Sequence, residues 1–346
     1  MVVPPDKEGA PPPPAGKKVT YPLNSNDIVF SEFRDQNFDA LAARIRSKAK
    51  HIKDAYDQLQ ALQNMHELRA FITTLPQTKQ QEVSLSVLSN IAHKIAATGR
   101  SDDFSRKIDS ERVILSGSDP TSAIAFIDEL IDRQGPLVKV LRLLTLLSSI
   151  HGGLSGKHFE HYQRELLQTY GYEQLFTLHN LVRLGLIKRQ GGPRSGFQVA
   201  HKPMRLWVPE VDKSEPEDIA FAYSGYAPLS VRLVQYAAAP GWRAMADVIR
   251  GISPTAFEVT QSLPPSIAAN LSKKNRASAQ QGLDKPPITL VFFIGGVTFG
   301  EIAALRYLAT HSETKRNILI ATTKLVNGDS LISSLMDAIP IPTLED

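Results

Sequence analysis

The sequence predicts a mainly α-helical chain that ends in a partial α/β unit. Three observations carry that prediction. Apolar residues recur at steps of three and four over long stretches between Asn26 and Arg250, the period of a helix with one buried face. Two short apolar runs near the C-terminus, Ile288–Ile294 and Asn317–Thr322, are each followed by a helical stretch and read as buried strands. Pro-, Gly- and Ser-rich segments at 1–25 and 251–287 bracket the helical part and read as linkers.

Residues 1–25 lack any apolar period and suit a flexible or polyproline-like linker. A chain that opens this way reads as part of a longer one. From Asn26 to Gln134 the pattern is that of a helical hairpin subdomain. Leu41, Ile45, Ala49, Ile52, Tyr56 and Leu59 draw one stripe, and Val83, Val87, Leu88, Ile91 and Ile95 draw a second. Pro76 interrupts the stretch between them. Proline removes a backbone hydrogen bond and clashes with the preceding turn, at ~3 kcal/mol inside a helix, so a kink or hinge is expected there.

Residues 135–250 form a second helical subdomain. Pro136–Ile150 is apolar on most sides and so should be buried; Lys157–Thr169 and Tyr172–Leu184 follow, the latter ending at Gly185 as a C-cap. Leu186–Lys188, the Gly191-Gly192-Pro193 turn and Phe197–Trp207 suggest a small β-wing. Helices over Leu229–Ala238 and Trp242–Arg250 close this part. In 288–346, a strand, a helix at Thr298–Ala309, a second strand and a helix at Gly328–Asp337 make a βαβα unit. A parallel sheet needs both faces covered, and two strands cannot supply that, so its other strands must come from elsewhere.

The composition excludes several chemistries. The 346 residues include no Cys, so there is no disulfide, thiolate zinc ligand or thiol nucleophile. No apolar run approaches the ~18 residues of a membrane span, and the N-terminus lacks the apolar core of a secretory signal. A cytosolic chain fits. The net charge of +4 would help at an anionic membrane or an acidic partner, but is modest for a dedicated nucleic-acid binder.

Catalytic motifs are scarce. Gly295-Gly296-Val297-Thr298-Phe299-Gly300 sits between a strand and a helix, where dinucleotide folds hold phosphate, but its spacing fits neither G-x-G-x-x-G nor a P-loop. His158 and His161 share a helix face with no evident third ligand. Asp102-Asp103 and Glu215-Glu217-Asp218 read as solvated charge runs in loops. No G-x-S-x-G elbow anchors a hydrolase triad. The stretch Tyr172–Gln190 offers a different class, a winged-helix nucleic-acid binder facing the groove with Gln174, Thr177, Asn180 and Arg183. Only Arg183 of the four is basic, which favours a packing unit or protein interface. Neither an enzyme nor a cofactor is indicated.

Several stretches together resemble the SM (Sec/Munc) family. They are Asn26–Phe38, Tyr223–Gln235, Phe292–Leu305 and Thr322–Gly328. Lys139–Thr145 and Arg164–Asn180 are similar to its class C vacuolar protein sorting branch, the SM subunits of the HOPS and CORVET tethers. The resemblance implies an SM-type helical domain with a long hairpin, followed by the second half of a split Rossmann-like parallel-sheet domain. It implies a protein that templates SNARE assembly at endosome and vacuole or lysosome membranes, peripherally and through partners rather than by its own insertion. Syntaxin-type and R-type SNAREs, other tether subunits and the helical solenoid of the class C subunit numbered sixteen are the implied partners. On this basis Ile45, Ile52, Tyr56, Leu75, Pro76, Val83 and Val87 are the expected SNARE contacts, with Pro76 as the hairpin's hinge. Gln163, Tyr172 and Leu175 are the expected contacts to the solenoid. Where the family often has Lys, this chain has Gln163.

Overall fold

A computed structural model of the chain describes residues 21–61, 65–192, 194–252, 264–265, 267, 270, 288–311 and 317–336, with side chains at these positions apart from 59–72. The expected linkers at 1–25 and 251–287 lie mostly outside the described residues. The chain divides into two compact units, 1–98 and 99–346.

In the first unit, α1 (Ile28–Phe33) starts where the Asp27 carboxylate accepts hydrogen bonds from the amides of Val29 and Phe30. Two long helices follow, α2 (Phe38–Ala61) and α3 (Met65–Gly99). Ile52 of α2 and Leu85 of α3 meet Val29 and Phe33 in a small core, with Leu41, Ile45, Tyr56 and Leu88 packed around it. The Tyr56 hydroxyl donates to Glu82 across the hairpin at 3.2 Å, and Lys48 pairs with Glu32 of α1 at 2.7 Å. At Pro76, where a kink or hinge is expected, α3 runs on as one continuous helix. One lost hydrogen bond is outweighed where packing beyond the proline, here Leu85 and Leu88, anchors the following turns.

The second unit is built around α6 (Leu137–Ile150), which is buried on most sides as its sequence predicts: Val140, Leu141, Leu143, Leu144 and Leu147 are all enclosed. Around it pack α4 (Asp102–Ser116), α5 (Thr121–Asp132), α7 (Gly156–Tyr170) and α8 (Gln174–Arg183). A second small core joins α9 (Gly196–Ala200), a 3₁₀ turn at Trp242–Met245 and α11 (Ala246–Ile252), beside α10 (Leu229–Ala238).

Three readings of this region are corrected. Asp102 and Asp103 are not in a loop but form the first turn of α4, where the positive end of the helix dipole favours carboxylates; Asp103 also pairs with Arg133 at 2.9 Å. The second half of the expected β-wing opens as a helix, because Ser195 and Gln198 form a capping box that starts α9; it then passes through turns to a single antiparallel bridge between Trp207 and Tyr226. Its first half is reduced to a single bridge between Leu154 and Arg189. The charge run at 215–218 is only partly solvated: Asp218 caps the 3₁₀ turn Ile219–Tyr223 and pairs at 2.8 Å with Arg232, which is only 4% exposed. That guanidinium also donates to the Arg205 carbonyl and to Gln235.

The C-terminal elements are β1 (Ile288–Phe293), α12 (Phe299–His311), β2 (Asn317–Thr322) and α13 (Gly328–Ser333). The strands pair in parallel, Ile288 opposite Asn317 and Phe293 opposite Thr322. Phe293, Ile318 and Ile320 pack on Ala304, Leu305 and Leu308 of α12. Their strand neighbours Ile288, Leu290, Phe292 and Leu319 are exposed. One face of the sheet is therefore covered and the other is bare. α13 docks on the helical core through Ile332, with Arg142 of α6 on Asp329 at 2.8 Å and Asn180 of α8 donating to the Leu335 carbonyl at 3.2 Å.

Candidate functional site

Apolar surface, rather than a constellation of reactive groups, marks the candidate sites. On the hairpin, the structure separates the expected contacts. Ile45, Ile52 and Tyr56 turn inward, onto α1 and the Leu85–Leu88 side of α3. Val83 is 54% exposed and Val87, one turn on, is half-buried; both lie away from Leu85 and Leu88 around the helix. Leu75 is half-buried and Pro76 exposed. The second stripe read from the sequence thus splits into an inner face and an outer one. Desolvation and the nearby Glu82 carboxylate raise the Tyr56 hydroxyl above its ordinary range, so it remains a donor.

The second site lies between α7 and α8. A cleft of about 180 Å³ is walled by Leu144, Phe159, Tyr162, Leu166, Leu178 and Ile187. Gln163 and Leu175, expected from sequence as contacts to one partner, both line it, as do His179 and Val182. Tyr172 does not line it; it stands just before α8 at 78% exposure, and Leu175 is 47% exposed. Sequence reasoning missed Phe176, Val182 and Leu184, which extend this exposed apolar surface. A signal existed. In the ten residues of α8, Leu175, Phe176, Leu178, Leu181 and Val182 exceed what one buried stripe can use. Leu178 and Leu181 go to the core, and the surplus is left outside.

Of the polar groups nearby, the Tyr162 hydroxyl and Asp128 Oδ1 are buried with no hydrogen-bond partner among the described residues. Burial, then the Asp128 carboxylate, pushes the Tyr162 phenol far above its usual range. His161 faces Asp128 at 3.7 Å and Glu165 at 3.9 Å, and no group of His, Cys, Asp and Glu among the described residues is arranged to hold a metal. At the Gly295–Gly300 turn, Thr298 and Glu301 form a reciprocal cap: the Thr298 amide donates to Glu301 at 2.8 Å and the Glu301 amide to Thr298 at 3.2 Å. The Glu301 carboxylate thus puts a negative charge at the start of α12 and already accepts from the Thr298 amide and hydroxyl. Gly296, at φ 145°, is required for close packing, since a Cβ there would meet Val326 at 2.6 Å. Among the described residues, no helix is long and apolar enough to cross a membrane.

Comparison with known proteins agrees with this description. The Sec1 family model matches residues 5–334, so the chain belongs to the Sec1 family, the SM proteins. Within it the similarity runs to the vacuolar protein sorting 33 class. The chain is 41% identical over 315 residues to vacuolar protein sorting-associated protein 33A of Rattus norvegicus, covering 91% of this chain and 51% of the relative. It is 37% identical over 322 residues to the Arabidopsis thaliana homologue, covering 93% and 53%. It thus spans about half the length of these relatives. The fold is similar to Unc18 in a solved complex with syntaxin 1 from Monosiga brevicollis, at a TM-score of 0.54, 16% identity, and coverage of 91% of this chain and 52% of that one.

Proposed function

We propose that this chain is the SNARE-binding and tether-docking part of an SM protein that promotes vesicle fusion at endosomes and the vacuole or lysosome. The observation that supports this best is the family match across residues 5–334, which takes in both the hairpin and the α7–α8 cleft. A SNARE motif is disordered alone, and nucleating its helix is costly. A preformed hairpin offsets that cost by offering apolar anchors in register. Val83 and Val87 are the available anchors on α3, Leu75 and Pro76 mark its hinge, and Ile45, Ile52 and Tyr56 hold the hairpin shape that presents them. No covalent step or cofactor enters this mechanism.

In this reading the α7–α8 surface, with Gln163, Tyr172 and Leu175, receives the helical solenoid of class C subunit sixteen and so joins the chain to HOPS or CORVET. Exposed aromatic and aliphatic side chains around a central cleft commonly dominate such interfaces. The bare face of the β1–β2 sheet suits the first half of a split Rossmann-like domain, because a parallel sheet is stable only when both faces are covered. Co-expression with the C-terminal solenoid, followed by gel filtration with light scattering, tests the docking. A one-to-one complex is expected; a chain that elutes at its own mass beside free solenoid contradicts it.

A further inference from the structure

We propose that the α9–α11 corner of the second unit is a direct contact site for an anionic bilayer surface, independent of the SNARE and tether contacts. Two short ridges run antiparallel there. Ile252, at the end of α11, lies beside the start of α9, 3.6 Å from where a Cβ of Gly196 would stand, and Gly251 lies against Val199. Farther along, Met204 meets the Met245–Val248 end of α11 in the same small core. The first ridge carries Arg194, Lys202 and Arg205, and the second carries Arg243 and Arg250; all five are exposed. Among the described residues, Arg194, Lys202, Arg205 and Arg243 form no ion pair, while Arg250 pairs with Asp247, the one acid on the second ridge.

Apolar side chains are exposed within this basic surface. Trp242 is 63% exposed beside Arg243 at the start of the second ridge, and Ile252 is exposed at its end. Five cations against one carboxylate complement a negatively charged surface, and attraction to anionic lipid grows with each Lys or Arg near it. A protruding Trp flanked by Arg favours a bilayer over a nucleic acid or an acidic protein, because an indole gains by entering the headgroup region.

The chain has two Trp, and Trp207 packs on the backbone at Gly225. A Trp207→Phe variant therefore makes Trp242 the only indole reporter. Titrated with phosphatidylcholine vesicles containing about one-third phosphatidylserine, it should show a blue shift of Trp242 emission and co-flotation, both absent with pure phosphatidylcholine. Adding Arg205→Glu and Arg243→Glu should lower partitioning on the order of tenfold or more, as should raising the salt. Circular dichroism would confirm that the variants are folded, and Lys157→Glu, on α7, serves as a charge control that leaves binding unchanged. Equal binding to both vesicle types, or flotation without a Trp242 shift, would overturn the proposal. So would equally tight binding to duplex DNA, which would make the corner a general polyanion surface.

Discussion

Tyr172 and Arg232 sit at opposite extremes of exposure, and the expected effects of changing them differ in kind. Tyr172 stands clear of the core, so Tyr172→Asp should leave the thermal unfolding midpoint within the scatter of surface substitutions, about 0.5 kcal/mol, while abolishing solenoid binding. Normal capture of the solenoid by that variant would remove the interface assignment. Arg232 is enclosed, its Nε has no partner, and its charge depends on Asp218. Asp218→Ala should cost about 3 kcal/mol in urea unfolding, the low end for stranding a buried charge because Asp218 is itself part exposed. The neighbouring Glu217→Ala should shift the midpoint very little. The sequence showed Glu215, Glu217 and Asp218 as equivalent acids. Only the distant Arg232, brought in by α10, distinguishes the third, and no local pattern records that pairing.

At the scale of elements, the tie between α6 and α13 has a pH signature. The Arg142 guanidinium beside Asp329, and then the charges of Lys107 and Lys139, hold its carboxyl below the ordinary value. A carboxylate depressed in the folded state contributes stability that is present above its unfolded value and lost as pH falls toward the folded one. The chain should therefore lose stability on acidification below about pH 4, and Arg142→Gln should shrink that acid-dependent part, measured by melting at pH 3 to 6 in roughly unit steps. An unchanged acid profile in the variant would place the linkage elsewhere. Helix existence was legible wherever one stripe served one core: Leu229–Ala238 was read to the residue. The reading failed where capping or hidden packing decided the outcome. Asp102 and Asp103 looked like loop residues because the helix they begin is strongly charged, and the β-wing yielded to the Ser195–Gln198 capping box. Pro76 announced a kink or hinge within a stretch that the structure shows as one continuous helix.

For the whole molecule, the expected boundary near Gln134 differs from the observed one, since α4 and α5 pack on α6 in the second unit. The orphan βαβα unit follows from counting strands, and the structure shows its consequence as an apolar sheet face left bare. The α7–α8 site was half legible: Gln163, Tyr172 and Leu175 came from family resemblance, whereas the cleft itself depends on Leu144 and Ile187, which only the fold brings together. The hairpin was the least legible, since periodicity gives two stripes without saying which side of α3 each residue takes. That distinction matters for the proposed SNARE binding, because Val83 and Val87 lie outside the hairpin core and Ile52 lies within it.

Proposed capture of SNARE helices on the outer face of α3 can be measured by fluorescence anisotropy of labelled syntaxin-type and R-type SNARE motifs titrated with the chain. Saturable binding of both motifs is expected, weakened about tenfold or more by Val83→Asp with Val87→Asp in a variant that keeps its helix content. Absence of saturable binding by the folded chain, or binding indifferent to that double substitution, would contradict it.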